Sequence, residues 1–192
     1  MAEITPSSTI GPYFSIGLVP SQFGGRDLFV NSIVTPDVSG ERIRIEGRVF
    51  DGDGAIVPDA VVEIWQADAA GRYAHPRDGA KPNATFRGFG RSGTSAEGKY
   101  WFETIRPGPV AGPDGTQQAP HIAVNLFARG VLKQMTTRIY FSDEKTNDKD
   151  PVLALVPADR RRTLIAVRDP NAALYRFDIH MQGPDETVFF EA

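Results

Sequence analysis

The residue best suited to metal chemistry is His121, which lies in an apolar stretch, 121–128, typical of a core β-strand. Residues two apart on a strand project from the same face. A histidine at position 123 would therefore complete a two-imidazole metal site, but the chain has Ala123 there. A lone histidine is more often a core residue bonded to a neighbour, so the residues alone do not make His121 a site.

Two further side chains have suitable chemistry but not the pattern of a site. Tyr73 lies in a loop-like stretch, and its phenolate could bind ferric iron if the metal lowered the phenol pKa from about 10. A loop tyrosine more often has a packed ring and a solvated hydroxyl. Arg129 directly follows the strand 121–128, and its planar guanidinium suits a carboxylate ligand. A solvated arginine at a strand end is the commoner case.

The composition is that of one globular domain. The 192 residues are 41% hydrophobic and 23% charged, near the average for folded domains. A net charge of −3 and a single basic run, Arg160–Arg162, argue against nucleic-acid binding. The absence of cysteine excludes disulfides and thiolate metal sites. With no secretory signal and no apolar run of membrane-spanning length, we expect a cytoplasmic protein that does not bind membranes.

Many short strands are predicted, because 19 glycines and 15 prolines are dispersed along the chain. The predicted strands are 43–50, 60–67, 99–105, 121–128, 135–141, 175–183 and 187–191. Residues 72–93 have a loop-like composition, and 158–169 fit either a strand or a short helix. The pattern predicts an all-β fold: one β-sandwich of about seven to eight strands at 41–192, with little helix. Residues 1–40 are predicted to form an extended N-terminal arm, which must pack on something to stay ordered.

Six segments, taken together and in order, resemble the intradiol ring-cleavage dioxygenases. They are TPSSTIGPYFSIG (5–17), VVEIWQADAAGRY (61–73), FGRSGTSAEGKYWFETIRPGPV (89–110), APHIAVNLFARG (119–130), RIYFSDE (138–144) and YRFDIHMQGPDETVFF (175–190). Each segment alone is a weak signal. The ordered set covers nearly the whole chain and is specific.

The resemblance implies a β-sandwich and, in the family, a ferric ion bound by two tyrosines and two histidines. Heteromeric members contain α and β chains of similar fold, and the β chain binds the iron. The family's ligands fall here at Tyr73, Val110, His121 and Ala123, and Gln118 replaces an arginine of the catalytic chain. Since valine and alanine side chains cannot coordinate a metal, we expect Fe(III) in the β partner and no metal in this chain.

The resemblance also implies that this chain is an α subunit that completes the substrate pocket of its β partner. The matching positions are Thr9, Gly11, Pro12, Tyr13 and Arg129. The glycine and proline would let the backbone approach an aromatic substrate closely, and Tyr13 and Arg129 would shape the pocket and meet the substrate carboxylate. The arm would then pack on the partner subunit.

The implied reaction is cleavage of protocatechuate by O₂ between its two hydroxylated carbons. The product would be 3-carboxy-cis,cis-muconate, in the β-ketoadipate route of aromatic catabolism. The assembly would be an (αβ)n oligomer, in which this chain binds, orients and shields the substrate. Alone, it would be inactive.

Two alternatives remain at the level of the sequence. The chain could be a self-sufficient intradiol dioxygenase that recruits an unusual iron ligand such as His75. It could also be a β-sandwich interaction module with no part in catalysis.

Overall fold

The structure, a computed structural model, describes residues 9–75, 86–112 and 115–191. This part of the chain contains eleven strands. They are β1 (Arg42–Phe50), β2 (Val61–Gln66), β3 (Phe89–Gly93), β4 (Lys99–Ile105), β5 (Val110–Ala111), β6 (Gln117–Gln118), β7 (His121–Phe127), β8 (Met135–Phe141), β9 (Ile165–Arg168), β10 (Leu174–Arg176) and β11 (Ile179–His180).

Nine strands form one mixed sheet, in the order β4–β1–β10–β9–β8–β7–β2–β3, with β11 beside the end of β1. The strands β5 and β6 form a separate two-stranded ribbon. β1 pairs in parallel with β10 and β11, and β8 with β9, whereas the other pairs are antiparallel. A tight turn at 94–98 joins β3 to β4, so the two ends of the sheet lie side by side. The sheet therefore curls into a nearly closed sandwich, as the sequence predicts.

The core lies inside this curled sheet, and strict alternation along the strands fills it. In β7, Ile122, Val124 and Leu126 are buried on the inner face, whereas His121 and Ala123 lie on the outer face. The inner faces of the other strands supply the rest of the core, including Ile45, Val62, Ile64, Phe102, Ile139, Phe141 and Tyr175. Period-two burial of β-branched and aromatic residues is what gives the sheet one buried side.

Helix is scarce. The described residues contain one α-helix, α1 (Phe14–Leu18), and four 3₁₀ turns, at Pro20–Phe23, Lys145–Lys149, Leu153–Leu155 and Arg161–Leu164. No helix in these ranges is long and apolar enough to cross a membrane.

The predicted strands are largely confirmed, although 175–183 divides into β10 and β11 and the β5–β6 ribbon was not predicted. Three other stretches also differ. The strand β3 lies within the stretch predicted to be a loop, whose central residues 76–85 lie outside the described part. The ambiguous stretch 158–169 contains both predicted elements, because a 3₁₀ turn leads directly into β9. The prediction of a strand at 187–191 is wrong, since that stretch makes a single bridge, Thr136 to Phe190, with β8.

The described part of the arm, 9–40, is more structured than an extended segment because it contains α1 and a 3₁₀ turn. Its end is held on the chain's own sheet by backbone hydrogen bonds, including Ile33 N to Glu103 O at 2.9 Å and Arg91 N to Val30 O at 3.1 Å. Its apolar side chains are only partly covered by this chain. Tyr13 is 78% exposed and Leu28 86% exposed.

Candidate functional site

The strand β7 carries two of the family's four ligand positions, His121 and Ala123, on the outer face of the sheet. The register pairs His121 with Tyr140 of β8, and Ala123 with Arg138 of β8 and Trp65 of β2. Directly opposed residues lie on the same face of a sheet. We call this region, with Tyr73, Val110 and Gln118, the ligand corner.

His121 is buried and engaged within its own chain, with 4% of its surface exposed. Its Nδ1 lies 2.8 Å from the carbonyl oxygen of Ala119. A carbonyl only accepts hydrogen bonds, so Nδ1 carries the proton and donates. Burial, and then the positive charge of Arg138, lower the pKa of the imidazole. His121 is therefore a neutral side chain fixed in one tautomer.

A buried carboxylate, Asp150, fixes the backbone that orients His121. Its side chain accepts hydrogen bonds from Ala119 N at 2.8 Å and from the Tyr140 hydroxyl at 3.0 Å. It also accepts from the backbone of Val152 at 2.9 Å and of Leu153 at 2.7 Å. Since Asp150 is fully buried, these bonds compensate for the loss of its hydration. They tie β8 to the segment that leads into β7.

Tyr73 and Val110 are brought to this corner by a close backbone contact. Gly71 has a φ of +76°, and a Cβ there would lie 2.0 Å from the carbonyl oxygen of Pro109. Only glycine permits both this conformation and this approach. Tyr73 then stacks on Trp65, with ring centroids 6.0 Å apart and an interplanar angle of 13°. Tyr73 is thereby linked through Trp65 to Ala123, which lies directly opposite Trp65.

The side chains at the ligand corner do not fit a ferric ion. Ferric iron in this geometry needs several N and O donors in one shell. Val110 and Ala123 have no donor atoms, and Arg138, across from Ala123, is a cation with no acceptor. No group of three or more His, Asp or Glu side chains that could hold a metal occurs among residues 9–75, 86–112 and 115–191.

A second group of residues meets at the opposite end of β7. Ile10 N donates to Val131 O at 2.8 Å, and Gly130 N donates to Ile10 O at 3.2 Å. These two bonds fasten the start of the described arm to the β7–β8 connection. They bring the arm segment that contains Thr9, Gly11, Pro12 and Tyr13 beside the segment that directly follows Arg129. We call these five residues the arm corner.

The arm corner is open to the outside of the chain. Its residues are exposed, and the Arg129 side chain, 57% exposed, is ion-paired through Nε with Asp59. A Cβ built on Gly11 meets nothing within 4 Å, and its φ is not in the left-handed region. Nothing within the described chain therefore requires glycine at position 11.

The two corners are too far apart to form one site. Arg129 lies eight positions after His121, which corresponds to roughly 26 Å of extended chain at about 3.3 Å per residue. Arg129 therefore does not face the ligand positions of its own chain.

Comparison with known proteins assigns the chain to a family. A family model described as "Dioxygenase" matches residues 11–183. The chain belongs to the intradiol dioxygenase family. This family depends on non-haem iron. The side chains at the ligand corner of this chain therefore differ from what iron binding in the family requires.

Three relatives show the range of similarity. The protocatechuate 3,4-dioxygenase alpha chain of Burkholderia cepacia is 48% identical over 97% of this chain and 96% of its own length. The beta chain of the same enzyme from that organism is 36% identical over 84% of this chain and 73% of its own length. The solved dioxygenase domain of a carbohydrate-binding fusion protein from Streptomyces sp. SirexAA-E is 26% identical, with a TM-score of 0.61, over 80% of this chain and 87% of that one.

Four residues at the ligand corner could be identified only from the fold: Trp65, Arg138, Tyr140 and Asp150. One signal was available, since Arg138 is the one charged residue in the predicted strand 135–141. A charge in the middle of a strand that pairs with a core strand is unusual. Its partner on the neighbouring strand required the register.

Proposed function

We propose that this chain is the α-type subunit of a protocatechuate 3,4-dioxygenase and that it completes the substrate pocket of an iron-bearing β subunit. The reaction is the O₂-dependent cleavage of protocatechuate to 3-carboxy-cis,cis-muconate in aromatic catabolism in the cytoplasm. The higher identity to an alpha chain than to a beta chain supports this assignment. The chains would assemble as an (αβ)n oligomer, in which Fe(III) belongs to the β partner.

The observation that carries the proposal is the separation of the two corners along β7. The ligand corner lacks half of its donors, whereas the arm corner is exposed and lies roughly 26 Å away. Residues that serve this chain's own ligand corner would have to face it. An exposed arginine and an exposed tyrosine at the other end of the strand are instead placed to enter a neighbouring subunit.

Four residues of the arm corner have separate roles in the proposed pocket. The guanidinium of Arg129 bonds Asp59 through Nε, and its remaining N–H groups are suited to a substrate carboxylate. The ring of Tyr13 forms an apolar wall, while Gly11 and Pro12 allow backbone to approach the aromatic ring. Once this surface covers the partner's pocket, it orients the substrate and excludes water.

The first test compares the purified chain with the chain co-expressed with its β partner. The chain alone should show neither ring cleavage nor visible colour, and both should appear in the complex. Stoichiometric iron and ring cleavage in the isolated chain would instead support a self-sufficient dioxygenase that recruits a residue such as His75, which is exposed.

A sharper test uses two glycines that both have open space around a built Cβ, Gly11 and Gly17. Gly11→Ala should leave the free energy of unfolding of the chain unchanged but raise the KM of the complex about tenfold, equivalent to about 1.4 kcal/mol. Gly17→Ala, the control, should leave KM unchanged, and because Gly17 lies in α1 it should stabilise the chain by up to about 1 kcal/mol. An unchanged KM in Gly11→Ala, together with unchanged kinetics in Tyr13→Ala, would favour an interaction module with no part in catalysis.

A further inference from the structure

A guanidinium lies at the ligand corner. Arg138 of β8 is directly opposite Ala123 of β7, and Ala123 is one of the two ligand positions that lack a donor. Its Nη1 lies 3.5 Å from the hydroxyl of Tyr140, two residues along the same face of the strand. Tyr140 is in turn directly opposite His121, and their rings are 5.8 Å apart.

The same guanidinium also bonds a direct neighbour of Val110, the second ligand position that lacks a donor. Nη1 of Arg138 donates to Oε1 of Gln118 at 2.6 Å. Gln118 lies on the β5–β6 ribbon, where it is directly opposite Val110. Arg138 is therefore linked by direct neighbours to three of the four ligand positions. The fourth, Tyr73, stacks on Trp65, which is directly opposite Ala123.

No carboxylate in the described part of the chain is ion-paired with Arg138. None of the ion pairs found among residues 9–75, 86–112 and 115–191 includes Arg138. A guanidinium stays protonated in proteins and offers five donors and no acceptor. Its bonded neighbour Gln118 is neutral, and the Asp150 carboxylate is linked to Arg138 only through the Tyr140 hydroxyl, so a guanidinium without a direct counter-ion lies beside the partly buried ligand positions.

We propose that the guanidinium of Arg138 replaces the ferric ion at this corner and actively excludes metal from it. The loss of two donors and the presence of a fixed cation are then separate barriers to metal binding. The neutral amide of Gln118 and the hydroxyl of Tyr140 hold the guanidinium in place, as ligands would hold a metal. This inference does not depend on the role of the arm corner in a partner's pocket.

The proposal predicts that restoring the donors is not sufficient for iron binding. The double variant Val110→Tyr, Ala123→His has four potential ligands but keeps Arg138. After incubation of the full chain with ferric citrate and removal of free metal, it should retain less than about a tenth of an iron per chain, since like charges nearby oppose binding. Adding Arg138→Gln should give close to one iron per chain and a visible tyrosinate-to-iron absorption band.

Two further variants separate charge from shape. Arg138→Lys in the donor-restored chain keeps the charge and should remain free of iron, whereas Arg138→Met removes the charge at similar length and should bind iron as Arg138→Gln does. Circular dichroism and thermal melting establish that each chain is folded. Stoichiometric iron in the double variant would overturn the proposal. Absence of iron from the folded Gln and Met variants would also overturn it, as would failure of both to fold, because the guanidinium would then be a requirement of the fold.

Discussion

The two ends of β7 differ in almost every physical respect. At its start, His121 is buried, its tautomer is fixed by Ala119, and Asp150 fixes Ala119 in turn. Past its end, Arg129 is 57% exposed and has one carboxylate partner, Asp59. A closed and internally bonded corner has little capacity for a ligand, whereas an exposed corner with spare donors can bind one. The comparison supports the proposal that the start of the strand is structural and that its far end contributes to a partner's pocket.

The largest effect on stability is expected at the ligand corner, from Asp150→Ala. This change leaves the Tyr140 hydroxyl and three backbone N–H groups without their acceptor. Unsatisfied buried donors are costly, so the free energy of unfolding should fall by about 3 kcal/mol or more. Urea unfolding of the purified chain measures this loss.

Asp148→Ala, two residues away and exposed, is the matched control and should change stability by less than about 0.5 kcal/mol. Equal losses of stability in the two alanine variants would show that Asp150 does not organise the ligand corner.

This corner also shows where sequence reasoning succeeds and where it stops. Alternation predicted β1, β2, β4, β7 and β8, because one face of each strand is buried. Two glycines weaken the pattern of β3 and hid it. The stretch 175–183 alternates cleanly, so alternation could not show that it divides into β10 and β11.

The ligand positions could be located from the sequence through resemblance, but their neighbours could not. The contact of Arg138 with Gln118 depends on the register of β7 with β8 and on the fold of the β5–β6 ribbon. Neither is encoded in local periodicity. The joining of the arm to Gly130 and Val131 likewise rests on backbone bonds between distant segments.

At the arm corner, Arg129→Ala should affect substrate binding by the complex much more than it affects the stability of the chain. Its ion pair with Asp59 is largely exposed, and such pairs contribute about 0–1 kcal/mol. Thermal unfolding of the chain should therefore change little. In the complex with the β subunit, steady-state kinetics should show a KM for protocatechuate raised about tenfold or more, since a carboxylate contact is lost.

Arg162→Ala is the control for removal of an exposed, ion-paired arginine, because Arg162 pairs with Asp185 on another surface. It should leave KM unchanged. If both arginine variants raise KM alike, or neither does, Arg129 has no special place in the pocket.

A smaller effect on stability is expected from a change of pH, through His121 at the ligand corner. Burial, and then the charge of Arg138, lower the pKa of His121 below the unfolded value of 6.5. The unfolded chain therefore takes up a proton first as the pH falls. The stability of the folded chain should decrease as the pH drops from about 6.5 towards the folded pKa.

This loss should be smaller in His121→Gln, as measured by urea unfolding between pH 7 and 5. His180→Gln, at a half-buried position stacked on Phe50, keeps His121 and should retain the full dependence. The same pH dependence in wild type and His121→Gln would contradict a buried neutral imidazole.

The smallest effect is expected from Asp59→Asn, which removes the ion-pair partner of Arg129 at the arm corner. Loss of an exposed ion pair should change the free energy of unfolding by less than about 0.5 kcal/mol. On the proposed function, the negative charge of Asp59 draws on the same guanidinium that meets the substrate carboxylate, so KM in the complex should fall by up to about twofold. A rise in KM would show that Asp59 positions the guanidinium rather than competing for it.

The most direct test of the contrast between the corners is the amount of iron in the purified complex and in each chain. Metal analysis, with chain stoichiometry from quantitative mass spectrometry, should give one iron per pair of this chain and its β partner. This chain expressed alone should contain none. Two irons per pair, or one iron in the isolated chain, would contradict the account, because the ligand corner would then bind metal despite Val110, Ala123 and Arg138.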